Sequence, residues 1–220
     1  SVVVTAVASA GDIALMGEWF FEETGGDTIR DSSGNALDGA MIGGASRDGD
    51  VPAALGSSST ASMAFDGVDG TALMEQIGMH DEYTIALWMK SGASPNQSSM
   101  VLDYGDWRCG LYLYEGRSLT YYVKSAEGTT FSAPRATLGP GWHQVAAILS
   151  NDTMKLYIDG ALYGTKAFTG TLRIKDSDLY LGSTDGIASY FNGFVDDLRF
   201  YARALTAEEI GQLYAPDVNM

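Results

Sequence analysis

Met154-Lys155-Leu156-Tyr157-Ile158-Asp159-Gly160-Ala161-Leu162 reads as a strand, a tight turn and the start of a second strand. Met154, Leu156 and Ile158 alternate with Lys155 and Tyr157, the period of two that buries one face of an extended chain. Asp159-Gly160 then supplies two residues that tolerate positive φ, as a two-residue hairpin turn requires. Asn151-Asp152 marks the turn before it. The segment is built to pair antiparallel.

Comparable runs extend outward from it in both directions. Ile13–Phe21, Ser62–Asp66, Tyr83–Lys90, Met100–Tyr104, Gly110–Tyr114, Leu119–Lys124, His143–Leu149, Asp178–Gly182 and Gly193–Tyr201 are β-rich and bounded by turn residues. So many short strands without an intervening helical pattern predict an all-β, two-sheet antiparallel sandwich. One helix is expected near the C-terminus. Thr206-Ala207-Glu208-Glu209 forms a capping box, Ile210, Leu213 and Tyr214 then share a face, and Pro216 follows. Nothing repeats, so a single domain over 15–220 is expected, preceded by a linker or first strand over 1–14. Ala8-Ser9-Ala10 has the small-x-small look of a signal cleavage site, which leaves a residual leader as the alternative.

Composition narrows the partners. The chain has 220 residues, 28 acidic against 13 basic, for a formal charge of −15. Nucleic acid and anionic membrane surfaces, which need a basic footprint, are therefore poor partners, and calcium is a natural one. The alternative is that the acidic balance serves solubility alone. Cys109 is the single cysteine, which excludes an intrachain disulfide and a cysteine-based zinc site. No stretch approaches the roughly 20 apolar residues that cross a bilayer, so no membrane insertion is expected.

Several segments, in order, resemble the laminin-G-like jelly-roll family of the concanavalin A-like lectin and glucanase fold. They are Glu18-Trp19-Phe20-Phe21-Glu22-Glu23, Asp31-Ser32-Ser33-Gly34-Asn35, Phe65-Asp66-Gly67 and Thr84-Ile85-Ala86-Leu87-Trp88-Met89-Lys90. Trp142-His143-Gln144-Val145-Ala146, Leu156 through Gly160, and the run from Tyr190 to Leu205 complete the series. The resemblance covers roughly residues 15 to 214. It implies two curved sheets packed face to face, an extracellular or cell-surface setting within a larger chain, and often a bound calcium. It does not imply one function.

Parity along Phe194–Tyr201 places Asp196 with Phe194, Leu198 and Phe200 on the core side. A buried carboxylate needs a cation or several donors. The resemblance places calcium between the Asp31 turn and the last strand, which makes Asp31, Asn35 and Asp196 the candidate ligands. The alternative is that Asp31 caps an Asx turn and Asp196 accepts backbone amides.

Sugars are bound by stacking a pyranose face on a flat ring while polar groups read the hydroxyls. Pairing Leu113 with Leu119 leaves Glu115-Gly116-Arg117 as a turn. That register puts Leu111, Leu113, Leu119, Tyr121 and Val123 inward, and Tyr112, Tyr114, Thr120, Tyr122 and Lys124 outward. Trp107 and Arg108 sit in or beside the preceding turn, and Tyr190 lies in a loop near the last strand. The expected glycan contacts are Trp107, Arg108, Tyr112, Tyr122 and Tyr190, with Lys124 reading a polar or anionic group. The alternative is that these rings cover the outer sheet or pack under a loop.

A glycosidase of this fold would need two suitably spaced carboxylates, and no Glu-x-Asp-x-Glu run is present. His143 alternates with Val145, Ala147 and Leu149, and so reads as a core histidine bonded to backbone. The expected function is a non-catalytic, calcium-stabilised carbohydrate-binding module. A protein-binding adhesion module and an enzyme of the same fold are the alternatives.

Overall fold

The computed structural model describes residues 14–78, 80–92, 98–105, 107–172 and 177–215. The N-terminal run before residue 14 thus lies outside the described residues, as does Asp106.

In chain order the strands are β1 (Leu15–Trp19), β2 (Thr28–Ile29), β3 (Gly39–Ile42), β4 (Ser46–Asp48), β5 (Ser62–Asp66), β6 (Thr71–Ile77), β7 (Tyr83–Ser91), β8 (Ser99–Tyr104) and β9 (Cys109–Tyr114). They continue as β10 (Ser118–Lys124), β11 (Thr130–Ser132), β12 (Ala136–Thr137), β13 (Trp142–Ser150), β14 (Thr153–Ile158), β15 (Ala161–Ala167), β16 (Ser177–Leu181) and β17 (Asn192–Tyr201). One short helix, α1 (Ala207–Tyr214), follows.

All pairings are antiparallel. The first sheet runs β15-β14-β13-β7-β17-β5-β4, with β1 also on β17. The second runs β11-β10-β9-β8-β16-β6-β3-β2, with β12 also on β10. The architecture is the expected two-sheet sandwich. The hairpin at Asp159-Gly160 has φ values of 51° and 76°, the mirror-image turn that suits twisted strands.

Between the sheets, Leu87, Met89, Val145, Ala147, Leu156 and Leu198 meet Leu102, Leu111, Leu113, Leu119, Val123 and Leu181. Phe200 lies between the Tyr83 and Tyr104 rings, 6.1 and 6.0 Å away. The Tyr83 and Tyr121 hydroxyls satisfy one another across the core at 2.6 Å, as buried phenols require.

Helix α1 covers the outside of the first sheet. Its capping box is complete: Thr206 accepts from the Glu209 amide, and Glu209 accepts from the Thr206 amide. Ile210 and Leu213 pack on Ala86, Ala146, Ile148, Tyr157 and Tyr201, and Tyr214 stacks on Trp88 at 5.7 Å. Strands β7 and β13 are consequently buried on both faces, which explains the unbroken apolar run of Ile85–Met89. The outer face of the second sheet carries no such helix among the described residues.

Two expectations are corrected here. A bulge between Asp196 and Arg199, with Asp197 at φ 45°, breaks the parity of the last strand. Val195, Leu198 and Phe200 therefore reach the core, while Phe194 lies half-buried against Trp142, 6.2 Å away. His143 is not a core histidine. It sits half-buried at the start of β13, with Nδ1 2.8 Å from Asp159 Oδ2 and Nε2 3.2 Å from the Gly139 carbonyl.

A candidate glycan-binding furrow

The site is built on the β9–β10 hairpin. Leu113 pairs with Leu119, and Tyr114 with Ser118, around the turn at Glu115-Gly116-Arg117. Leu111, Leu113, Leu119, Tyr121 and Val123 are buried between the sheets, so alternation turns Tyr112, Tyr114, Thr120, Tyr122 and Lys124 outward.

Tyr122 does not stand up from this face; it lies down. It pairs with Gly110, where an added Cβ would come within 2.9 Å of the Tyr122 hydroxyl and 2.2 Å of the Leu102 carbonyl oxygen. The missing side chain leaves a slot through which the phenol donates to Asp103 Oδ1 at 2.6 Å. Burial and the neighbouring Asp103 carboxylate push the phenol well above its ordinary pKa, so it remains a donor. Tyr122 is 5% exposed and serves as floor.

Trp107 reaches back over this floor from the turn joining β8 to β9, where Gly105 and Trp107 have φ of 57° and 59°. Its ring lies 6.1 Å from Tyr112 and 5.9 Å from Tyr122, tilted against both. Tyr112 meets Tyr114 edge-on at 4.7 Å, and the Arg135 guanidinium lies 3.6 Å over the Tyr114 ring. Trp107, Tyr112, Tyr114, Thr120, Tyr122, Lys124, Thr130 and Ser132 enclose a furrow of ≈ 320 Å³. Trp107 is 39% exposed, so an aromatic face stays open to solvent.

Of the six predicted ligand contacts, Trp107, Tyr112, Tyr122 and Lys124 come together here. Arg108 and Tyr190 do not line the furrow. Arg108 is buried, its carbonyl accepting from the Lys124 amide, and Tyr190 is half-buried, donating to the Gly186 carbonyl at 3.0 Å. Thr130, Ser132 and Arg135 were missed. The alternation of Thr130-Phe131-Ser132, with Phe131 packed on the core, is the signal that reveals the first two.

The predicted calcium ligands occupy two settings. Asp31 Oδ1 accepts from the Glu18 and Ser33 amides, and Oδ2 from Ser33 Oγ and the Leu37 amide. These donors hold its carboxyl below the ordinary value, against the opposing effect of burial. Beside it the Asn35 amide donates to the Leu15 and Met16 carbonyls at 2.9 and 3.0 Å. Asp196 is engaged elsewhere, accepting from Ser59 Oγ and the Asp197 amide, both at 2.7 Å. Burial pushes its carboxyl up to about 7. Asp31 and Asn35 thus share one turn with the Leu15 and Met16 carbonyls while Asp196 stands apart, and no group of three or more acidic, histidine or cysteine side chains suited to a metal occurs among the described residues. Protein donors already satisfy the oxygens at that turn.

A family model described as the Concanavalin A-like lectin/glucanases superfamily matches residues 65–211. Among solved structures, the botulinum neurotoxin serotype D binding domain superposes with a TM-score of 0.74 at 12% identity, over 94% of this chain and 52% of that one. The binding domain of Paraclostridial Mosquitocidal Protein 1 gives 0.73 at 15% identity, over 94% and 53%. The binding domain of botulinum neurotoxin DC, in complex with rat synaptotagmin II, gives 0.72 at 15%, over 91% and 51%. At such identities the likeness is one of fold, and the chain spans about half the length of each of these structures. A search of curated proteins returns no match.

Proposed function

This chain belongs to the Concanavalin A-like lectin/glucanases superfamily, and within it we propose that it acts as a non-catalytic carbohydrate-binding module. One observation carries the proposal: a furrow floored and walled by Trp107, Tyr112, Tyr114 and Tyr122, rimmed by Thr120, Thr130, Ser132 and Lys124, and still open to solvent. Clustered rings offer flat faces to a pyranose, and the hydroxyls and ammonium around them can read its substituents. Among the described residues no carboxylate lines the furrow. Among those residues it thus shows no acid and base pair of the kind a glycosidase needs, which supports binding without turnover.

The test is retention on a glycan array of the wild type and the Trp107→Ala/Tyr112→Ala double variant. Loss of retention with an unchanged melting curve is the expected result. Retention by the double variant would overturn the furrow as the site.

A protein partner is the second reading, favoured by the similar neurotoxin domain that is in complex with synaptotagmin II. An array that retains no glycan selects it. A secreted or surface setting is part of the proposal, and a place within a larger chain accords with neighbours that run to about twice this length. Calcium at the Asp31–Asn35 turn belongs to the proposal as a structural ion, supported by the Leu15 and Met16 carbonyls gathered there. Binding it would exchange the present donors for the ion.

A further inference from the structure

The furrow has a direction and two charged ends. Along its length Lys124 stands opposite Thr130, Tyr122 opposite Ser132, Thr120 opposite Tyr112, and Ser118 opposite Tyr114. Six residues of strand separate the first row from the last, about 20 Å at the usual rise. Lys124 lines one end. At the other, the Arg135 guanidinium is seated on Tyr114.

That pairing of cations runs against the chain as a whole, in which acidic residues outnumber basic ones 28 to 13. Several other cations are taken up in ion pairs: Arg47 with Glu23, Lys90 with Asp50, Arg199 with Asp197 and Arg203 with Glu209. Among the described residues no salt bridge engages Lys124 or Arg135. Asp103, which the Tyr122 hydroxyl engages from the floor, is fully buried behind that ring.

Resting on the glycan reading above, we propose that the furrow selects an acidic oligosaccharide. Its rings lie along Trp107 and Tyr112, with one carboxylate or sulfate on Lys124 and a second on Arg135. Stacking on Tyr114 holds the guanidinium plane in place, so little side-chain freedom is lost when its N–H groups meet an anion. The acidic remainder of the surface repels such a ligand at a distance, which confines it to the furrow and makes the affinity depend on salt.

The experiment is an array of uronate oligomers and sulfated oligosaccharides, each beside its methyl-esterified or desulfated counterpart. Wild type is expected to retain at least one acidic form tenfold or more above its neutral counterpart. Lys124→Gln should lower that retention at least tenfold and Arg135→Gln severalfold, so that the ratio of acidic to neutral retention falls in both. Lys155→Gln, on β14 in the other sheet, should change neither. The uronate and sulfate arms separate the two sources of charge. Equal retention of acidic and neutral forms, or indifference to Lys124→Gln, overturns the charge selection while leaving the furrow reading intact. Retention of no glycan at all overturns both.

Discussion

The Tyr122 hydroxyl reaches Asp103 Oδ1 at 2.6 Å by lying across Gly110, so a residue read as a binding contact is also a tie between β10 and β8. The furrow floor and the second sheet are therefore stabilised by one bond, and each can be perturbed with its own substitution.

Tyr122→Phe keeps the ring and removes the donor. The buried Asp103 oxygen then loses that partner, at a cost of about 1–3 kcal/mol. Urea unfolding should show a lower midpoint with an unchanged slope, while glycan retention changes little. A large loss of retention at unaltered stability would mean that the hydroxyl contacts ligand directly.

Gly110→Ala attacks the same place from below. The new Cβ would meet the Leu102 carbonyl oxygen at 2.2 Å, and backbone cannot swing aside as a flexible side chain can. Overpacking of this kind costs about 1–3 kcal/mol. Both the melting midpoint and glycan retention should fall. Full retention in this variant would show that Tyr122 need not lie flat.

Glu209 offers a pH-dependent test remote from the furrow. Arg203 first, then the Thr206 hydrogen bonds, hold its carboxyl below the ordinary value of 4.5. A lowered folded-state pKa contributes stability above the unfolded value, and that contribution disappears as the pH falls through the folded one. Glu209→Ala should cost about 1–2 kcal/mol at pH 7, and a smaller amount near pH 3. An equal cost at both pH values would assign the effect to helix packing instead.

Calcium is tested by thermal melting in excess chelator. The expected midpoint is lower than in millimolar calcium and is restored by adding the ion back. Asp31→Asn should abolish the difference. An identical midpoint in chelator and in calcium removes the structural ion from the proposal.

Most of the sandwich was legible because its strands are rich in apolar and aromatic residues and end in strong turn residues, with clear alternation in β9 and β14. The Leu113–Leu119 register and the Asp159-Gly160 turn follow from side-chain chemistry within a few residues. Strand β4, and β15 beyond its start at Ala161-Leu162, were not legible, since these edge strands are mostly exposed and carry little apolar pattern. Asp196 is buried as expected but on the other face from the core, because parity assumes an unbroken strand and the bulge at Asp197 depends on tertiary context rather than on any local signature. In the furrow, the hairpin residues could be read. Arg135 could not, because its seat on Tyr114 joins two positions 21 residues apart only after folding.

Three of the furrow's rings are fixed to ladder strands, whereas the indole hangs from the connection between β8 and β9. Lengthening or shortening that connection would move one wall and leave the opposite wall and the base where they are. Breadth of the cleft is thus governed by a handful of surface residues, and ligand preference can diverge between related chains with almost no cost to the scaffold beneath.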